Sequence, residues 1–131
     1  MSTEQNKAVV RRFITDIVVG GNFSAADELV APNYVNSMMP GLDFAGFKAA
    51  AVQMSKAIQE SHADDLTLIA EGNQVVARFI YRITLANGKK LSARNLTYFR
   101  LDKGKIVEDD PIMTLDLHAE LAALMPQPVA V

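Results

Sequence analysis

The sequence predicts an α+β domain, with a curved antiparallel sheet covered on its concave face by N-terminal helices. Three observations carry this. Apolar residues in the N-terminal part recur at helical spacing, with Val9, Phe13 and Ile17 at i, i+4 and i+8 and Val10 and Ile14 beside them. From Leu66 to Met113 the pattern switches to strict alternation, as in half-buried strands. Tight reversals divide that stretch. Asn87-Gly88 suits a two-residue type I′ turn, which needs φ > 0 at both positions, and Glu71-Gly72-Asn73 and Asp102-Lys103-Gly104 make the others.

The elements follow in order. Ser2 and Gln5 form a capping box ahead of the first helix, and Gly20-Gly21 ends it. Ser24 caps a short second helix, Ala25 to Val30, with Asp27 and Glu28 in its first turn and Pro32 as its stop. Tyr34-Val35-Asn36-Ser37 reads as extended and closes at Pro40-Gly41. A third helix, roughly Phe44 to Gln59, buries Phe47, Ala51, Met54 and Ile58. Ser61 to Asp65 reads as a loop. In the strands, Val75, Ala77, Phe79 and Tyr81 share an apolar face, and Asn95, Thr97 and Phe99 share the next inward one. Lys105 to Met113 is the last strand. A closing helix, about Asp116 to Met125, precedes a Pro-Gln-Pro tail.

Composition narrows the function classes. The chain's 131 residues form one domain, 1–131, large enough for its own core. A 50% hydrophobic and 21% charged content excludes a disordered chain. A net charge of −2 with both signs scattered lacks the basic stripe of a nucleic-acid binder. With no cysteine there is no disulfide framework, thiol nucleophile or cysteine-ligated metal. A polar N-terminus and the lack of an 18-residue apolar run argue against a signal peptide or membrane span, so a cytoplasmic protein is expected.

Four stretches carry a resemblance across nearly the whole chain: Asn6 to Phe13, Asp27 to Tyr34, Leu68 to Arg78, and Phe99 to Glu108. In that order the chain resembles the NTF2-like superfamily, and most closely its SnoaL-like polyketide cyclases and limonene-epoxide-hydrolase cousins. The resemblance implies a cone with a pocket between the concave sheet face and the helices, and a homodimer formed through the sheet. It implies a small hydrophobic ligand and no cofactor. In the cyclases, a His or Asp stands in the strand before Phe-Arg, and an Asp lies fourteen positions later. Those positions here are Thr97 and Pro111. The Arg-x-Asp pair of the epoxide hydrolases becomes Asn95 and Thr97. Their water-holding Tyr-x-Asn survives as Tyr34-Val35-Asn36, and Ser37 stands where many relatives have His.

Asp109 is the candidate base, because alternation puts it on the face of Pro111, inside the implied pocket. A carboxylate facing an apolar hollow has a raised pKa and can accept a proton near neutral pH. The competing reading makes Glu108-Asp109-Asp110 a solvated acidic run. Asp110 faces away unless a bulge at Pro111 re-aims it. Tyr34 and Asn36 orient a water or substrate oxygen, or else form a buried Tyr–Asn pair. Asn95, Thr97, Ser37, Phe99 and Met38 are candidate substrate-binding residues. Met38-Met39 reads as a flexible apolar lip. Neither His62 in its loop nor His118 in the last helix has a carboxylate at ligand spacing, so no metal is expected. Arg78, Arg82, Arg94 and Arg100 face outward as a paired charge row. Three functions stay open: a cofactor-free enzyme for cyclisation, isomerisation or epoxide opening; a binding or structural dimer that lacks the family's acid/base residues; and a protein-interaction module, as in the superfamily's transport-factor branch, which would need an exposed apolar patch.

Overall fold

The computed structural model describes residues 2–114. The predicted closing helix and His118 lie outside them. Helix α1 (Thr3–Arg12) starts at the expected capping box: the Ser2 hydroxyl accepts from the Gln5 amide, and the Gln5 side chain accepts from the Ser2 amide. The helix does not run on as α to Gly20. From Phe13 to Val19 it widens into a π-helical turn, which places Phe13, Ile14 and Ile17 in the core. This turn needs glycine at its end. A Cβ on Gly20 would sit 2.7 Å from the Asp16 carbonyl oxygen and 2.9 Å from that of Thr15.

The short second helix is a 3-10 turn (Phe23–Ala25) followed by α2 (Ala26–Leu29). Ser24 does not cap it, because its hydroxyl donates to the Asn22 side chain instead. Strand β1 (Val30–Asn36) already contains Pro32. Helix α3 (Phe44–Ser55) is capped by Asp43, whose carboxylate accepts from the Gly46 amide at 2.8 Å.

Four strands follow: β2 (Ile58–Glu71), β3 (Gln74–Leu85), β4 (Lys90–Asp102) and β5 (Lys105–Met113). The sheet order is β1-β5-β4-β3-β2. The meander β2 to β5 is antiparallel, as read from its turns, while β1 joins the edge parallel to β5, so the sheet is mixed.

Strand β2 is longer than its pattern suggested. Gln59 belongs to it, and so does the polar run Ser61 to Asp65, read above as a loop. Pairing with β3 satisfies its backbone, and a bulge between Asp64 and Thr67, with Asp65 at φ 57°, takes up the extra residue. The convex face carries the ion pairs Arg82–Asp64 (2.7 Å) and Arg100–Glu108 (3.5 Å). Helix α1 is tied to the sheet by buried Asn6, whose amide donates to the Gly72 carbonyl at 3.2 Å.

Candidate active site

Strand β5 decides which side chain enters the hollow. Leu101 pairs with Ile106 and Arg100 with Glu108, so Val107 is an extra residue on β5. Ile106 faces the core, and after the bulge the inward positions become Asp109, Pro111 and Met113. Simple alternation from Ile106 would have turned Glu108 inward. The irregularity therefore lies at Val107, and Pro111 pairs in register with Thr97. The Ser37 amide donates to the Asp109 carbonyl, so this part of β5 turns its backbone groups toward β1. The β1 register ends at Asn36 opposite Asp109, which leaves Pro111 at an edge where no amide proton is needed.

Between the concave face, the π-helical turn and α3 lies a cavity of about 400 Å³. Its wall is mostly apolar: Phe13, Ile17, Phe47, Met54, Phe79, Phe99 and Met113 contribute, with Met38 and Met39 at one side. Asp109, Asn36, Asn95 and Thr97 are the buried polar residues on this wall, with Ser61, Glu60 and Tyr81 farther along it.

Asp109 is only 6% exposed. Its Oδ2 accepts from the Tyr34 hydroxyl at 2.7 Å and from Asn36 Nδ2 at 3.3 Å. Asn36 Nδ2 also donates to the Tyr34 hydroxyl oxygen at 3.0 Å. The Met38 amide donates to Asn36 Oδ1 at 2.8 Å, which fixes the amide with its NH₂ toward Asp109. No described residue donates to Asp109 Oδ1, so that oxygen keeps its lone pairs for a ligand.

Burial pushes the Asp109 carboxyl up from 3.8 to about 7, the Tyr34 hydrogen bond pulls it back, and neighbouring Asp110 raises it. Burial also raises Tyr34, as does the Asp109 charge, so its phenol stays protonated. The two groups divide the work: the carboxyl titrates near neutrality while the phenol only donates.

Tyr34 itself does not line the cavity. Its ring is 1% exposed and packs against Phe47 (centroids 5.0 Å apart), Phe44 and Phe13. It reaches Asp109 from behind, so the expectation that it orients a water or substrate oxygen gives way to holding the carboxylate. Ser37 is also displaced from its expected place. It follows Asn36 on the opposite side of the chain, is exposed, and donates to Asp110 Oδ1 at 2.6 Å. Asp110 thereby faces outward.

Asn95 and Thr97 project from β4 into the hollow, 5% and 4% exposed. The Thr97 hydroxyl donates to Asn95 Oδ1. Phe99 lies next along the same face, opposite Asp109. His62 projects from β2 on the exposed side, 2.6 Å from the Glu60 carboxylate. Among the described residues no three His, Cys, Asp or Glu side chains are placed to hold a metal ion, and no helix is long and apolar enough to cross a membrane.

Sequence reasoning missed the cavity wall made by the π-helical turn and Gly20-Gly21, and the contributions of Glu60, Ser61 and Tyr81. The Gly-Gly pair was legible only as a helix stop. Nothing in the pattern of Phe13 to Val19 distinguishes a π turn from an α-helix.

Comparison with known proteins bears on the fold and the family. The SnoaL-like domain family matches residues 10–109. No curated protein matches the chain. Among solved structures, a protein assigned as a polyketide cyclase from Acidithiobacillus ferrooxidans is 22% identical with a TM-score of 0.74, over 95% of this chain and 100% of its own. TsrD from Streptomyces laurentii is 20% identical with a TM-score of 0.74, over 94% and 98%. A SnoaL-like polyketide cyclase from Agrobacterium tumefaciens is 13% identical with a TM-score of 0.74, over 93% and 99%. At these identities the likeness establishes the shared fold.

Proposed function

Since the chain belongs to the SnoaL-like domain family, we propose that it is a cofactor-independent enzyme that moves a proton on a small, largely apolar, oxygenated molecule. One observation carries this reading: a buried carboxyl on an apolar cavity wall, held from behind by two donors and titrating near 7. General acid/base catalysis is most efficient when the group's pKa lies near the working pH. The Asp109 carboxylate takes a proton from a carbon next to a carbonyl. The C–H electron pair moves into the carbonyl as an enolate, and Asp109, now protonated, returns the proton to carbon or oxygen. Isomerisation follows directly, and ring closure follows where the enolate carbon attacks a second carbonyl of the same molecule.

Proton transfer is favoured over epoxide opening. Tyr34 and Asn36, which would hold a hydrolytic water, are already engaged with Asp109 Oδ2. The acting molecule in this reading is a homodimer joined through the convex sheet face. Leu96 and Ile112 sit side by side there at 48% and 68% exposure, with Ile69 at 68% on the same face.

The test is deuterium exchange into the α-carbon of tetralone, followed by NMR in heavy water. The wild type should accelerate exchange, with activity rising through an inflection near pH 7. Asp109→Asn should lose about a hundredfold or more, the usual contribution of a positioned base. Equal exchange in the two proteins would exclude Asp109 as the base and favour a cavity that binds without reacting.

A further inference from the structure

The cavity has two polar stations, and only one of them contains Asp109. Asn95 Oδ1 is occupied by the Thr97 hydroxyl proton, which fixes the orientation of the amide. The NH₂ group of the same amide donates to no described residue, yet Asn95 is 95% buried and lines the cavity. The donor is therefore turned to the cavity, where a ligand acceptor can take its hydrogen. With its oxygen held toward Thr97, the amide turns its hydrogens to the cavity, so it matches a carbonyl oxygen better than an ammonium or arylamine.

The register locates this donor relative to Asp109. Asp109 lies opposite Phe99, and Asn95 is four residues farther along β4. At about 3.3 Å per residue the two side chains leave the sheet about 13 Å apart. Allowing roughly 3 Å for contact at each end leaves on the order of 7 Å for the ligand between them. That is the length of two or three fused six-membered rings, too long for the carbonyl at Asn95 to be the one whose α-carbon faces Asp109. By register Phe79 lies beside Asn95, Phe99 beside Asp109, and Thr97 and Pro111 between the stations; with Phe13 they form a mostly apolar wall that suits a flat body.

We infer that Asn95, oriented by Thr97, is a second subsite that reads a carbonyl oxygen at the far end of a fused-ring ligand and sets which carbon meets Asp109. Thr97 is a positioning residue, and Asn95 determines specificity. This rests on the reading of Asp109 as the base, but the subsite can be tested apart from it.

Three naphthalene probes decide the matter by calorimetric titration: a naphthyl methyl ketone, the diacetylnaphthalene with its acetyl groups at opposite ends of the ring pair, and the acetylnaphthylamine with its amine at that far end. The wild type should bind the diketone about five- to tenfold more tightly than the monoketone, the worth of one hydrogen bond. The amine should bind no more tightly than the monoketone. Asn95→Leu should bind all three alike. Thr97→Val frees the amide to turn its oxygen outward, so the amine should gain about as much as the diketone. A wild type that does not prefer the diketone overturns the subsite, and so does a preference that persists in Asn95→Leu. If Asn95→Leu fails to fold, Thr97→Val decides, and unchanged discrimination against the amine overturns the orientation argument. Asp109→Asn should keep the diketone preference while losing exchange. Exchange kept with the preference intact places the failure in the Asp109 reading. Exchange lost without any preference in the wild type places it in the subsite.

Discussion

At the scale of the residue, Asp109 is a carboxylate that the fold stabilises only in part. Its folded pKa is raised from 3.8 to about 7, the reverse of the usual salt-bridged carboxylate. The native state therefore holds its proton through a range where the unfolded chain has released it. Stability from this group is fully present below about pH 4 and is lost as pH rises toward 7, by something on the order of 4 kcal/mol. Asp109→Asn removes the ionisation, so its unfolding free energy should lack this decline and exceed that of the wild type above pH 7. Denaturant titrations at a series of pH values read the difference. Tyr34 acts in the opposite sense, because its hydrogen bond favours the charged form. Tyr34→Phe should raise the Asp109 pKa further, by about one to two units for a bond to a charged acceptor, measured by carboxyl-carbon NMR titration. Much of this was legible in advance. Alternation put Asp109 on the face of Pro111, which the family resemblance implied to be inward, and Tyr34 and Asn36 were singled out as a pair. That Tyr34 serves the carboxylate from behind depends on where Phe44 and Phe47 close over its ring, and no local pattern carries that.

At the scale of the element, two irregularities shape the site. The extra residue Val107 switches the inward set of β5 from Glu108 to Asp109. The π-helical turn carries Phe13, Ile14, Ile17, Val18 and Val19 past the cavity wall, and it closes on Gly20. Gly20 has an ordinary φ of −78°, so its need is for space rather than for a left-handed backbone. Gly20→Ala forces a shift against two backbone carbonyls and should cost about 1–3 kcal/mol, seen as a lowered melting temperature. Irregular elements are poorly legible because their cause is non-local. A bulge or a π turn forms where pairing and packing elsewhere gain more than regular hydrogen bonding loses locally. The same reason hid the first half of β2, whose Ser61-His62-Ala63-Asp64 run has little strand character until β3 pairs with it.

At the scale of the molecule, a mixed sheet presents a hollow on one side and, on the other, exposed apolar side chains set among charged ones. Leu96 pairs with Ile112 across β4 and β5 and with Arg78 across β3 and β4, and Val76 links Ile69 to Tyr98, which pairs with Asp110. Exposed apolar groups of this kind mark interaction surfaces. The proposed dimer should give way to monomer in Ile112→Glu, by sedimentation velocity, because burying the new carboxylate in the contact costs its hydration. The Asp109 titration should persist in that variant, since its hydrogen bonds all come from the same chain.

The sequence by itself determined the fold class, the order of the elements, the three reversals of the meander and the inward faces of β3 and β4. These follow from periodicity and turn chemistry, which act between neighbours along the chain. Only the tertiary structure decided that β1 runs parallel to β5, that Tyr34 lies behind the carboxylate, that Ser37 points away, and that the Asn95 amide, its oxygen taken by Thr97, donates to no other described residue. Each of these depends on contacts between residues far apart in sequence. Their energies are set by burial and by which hydrogen bonds remain available once the sheet has closed around the cavity.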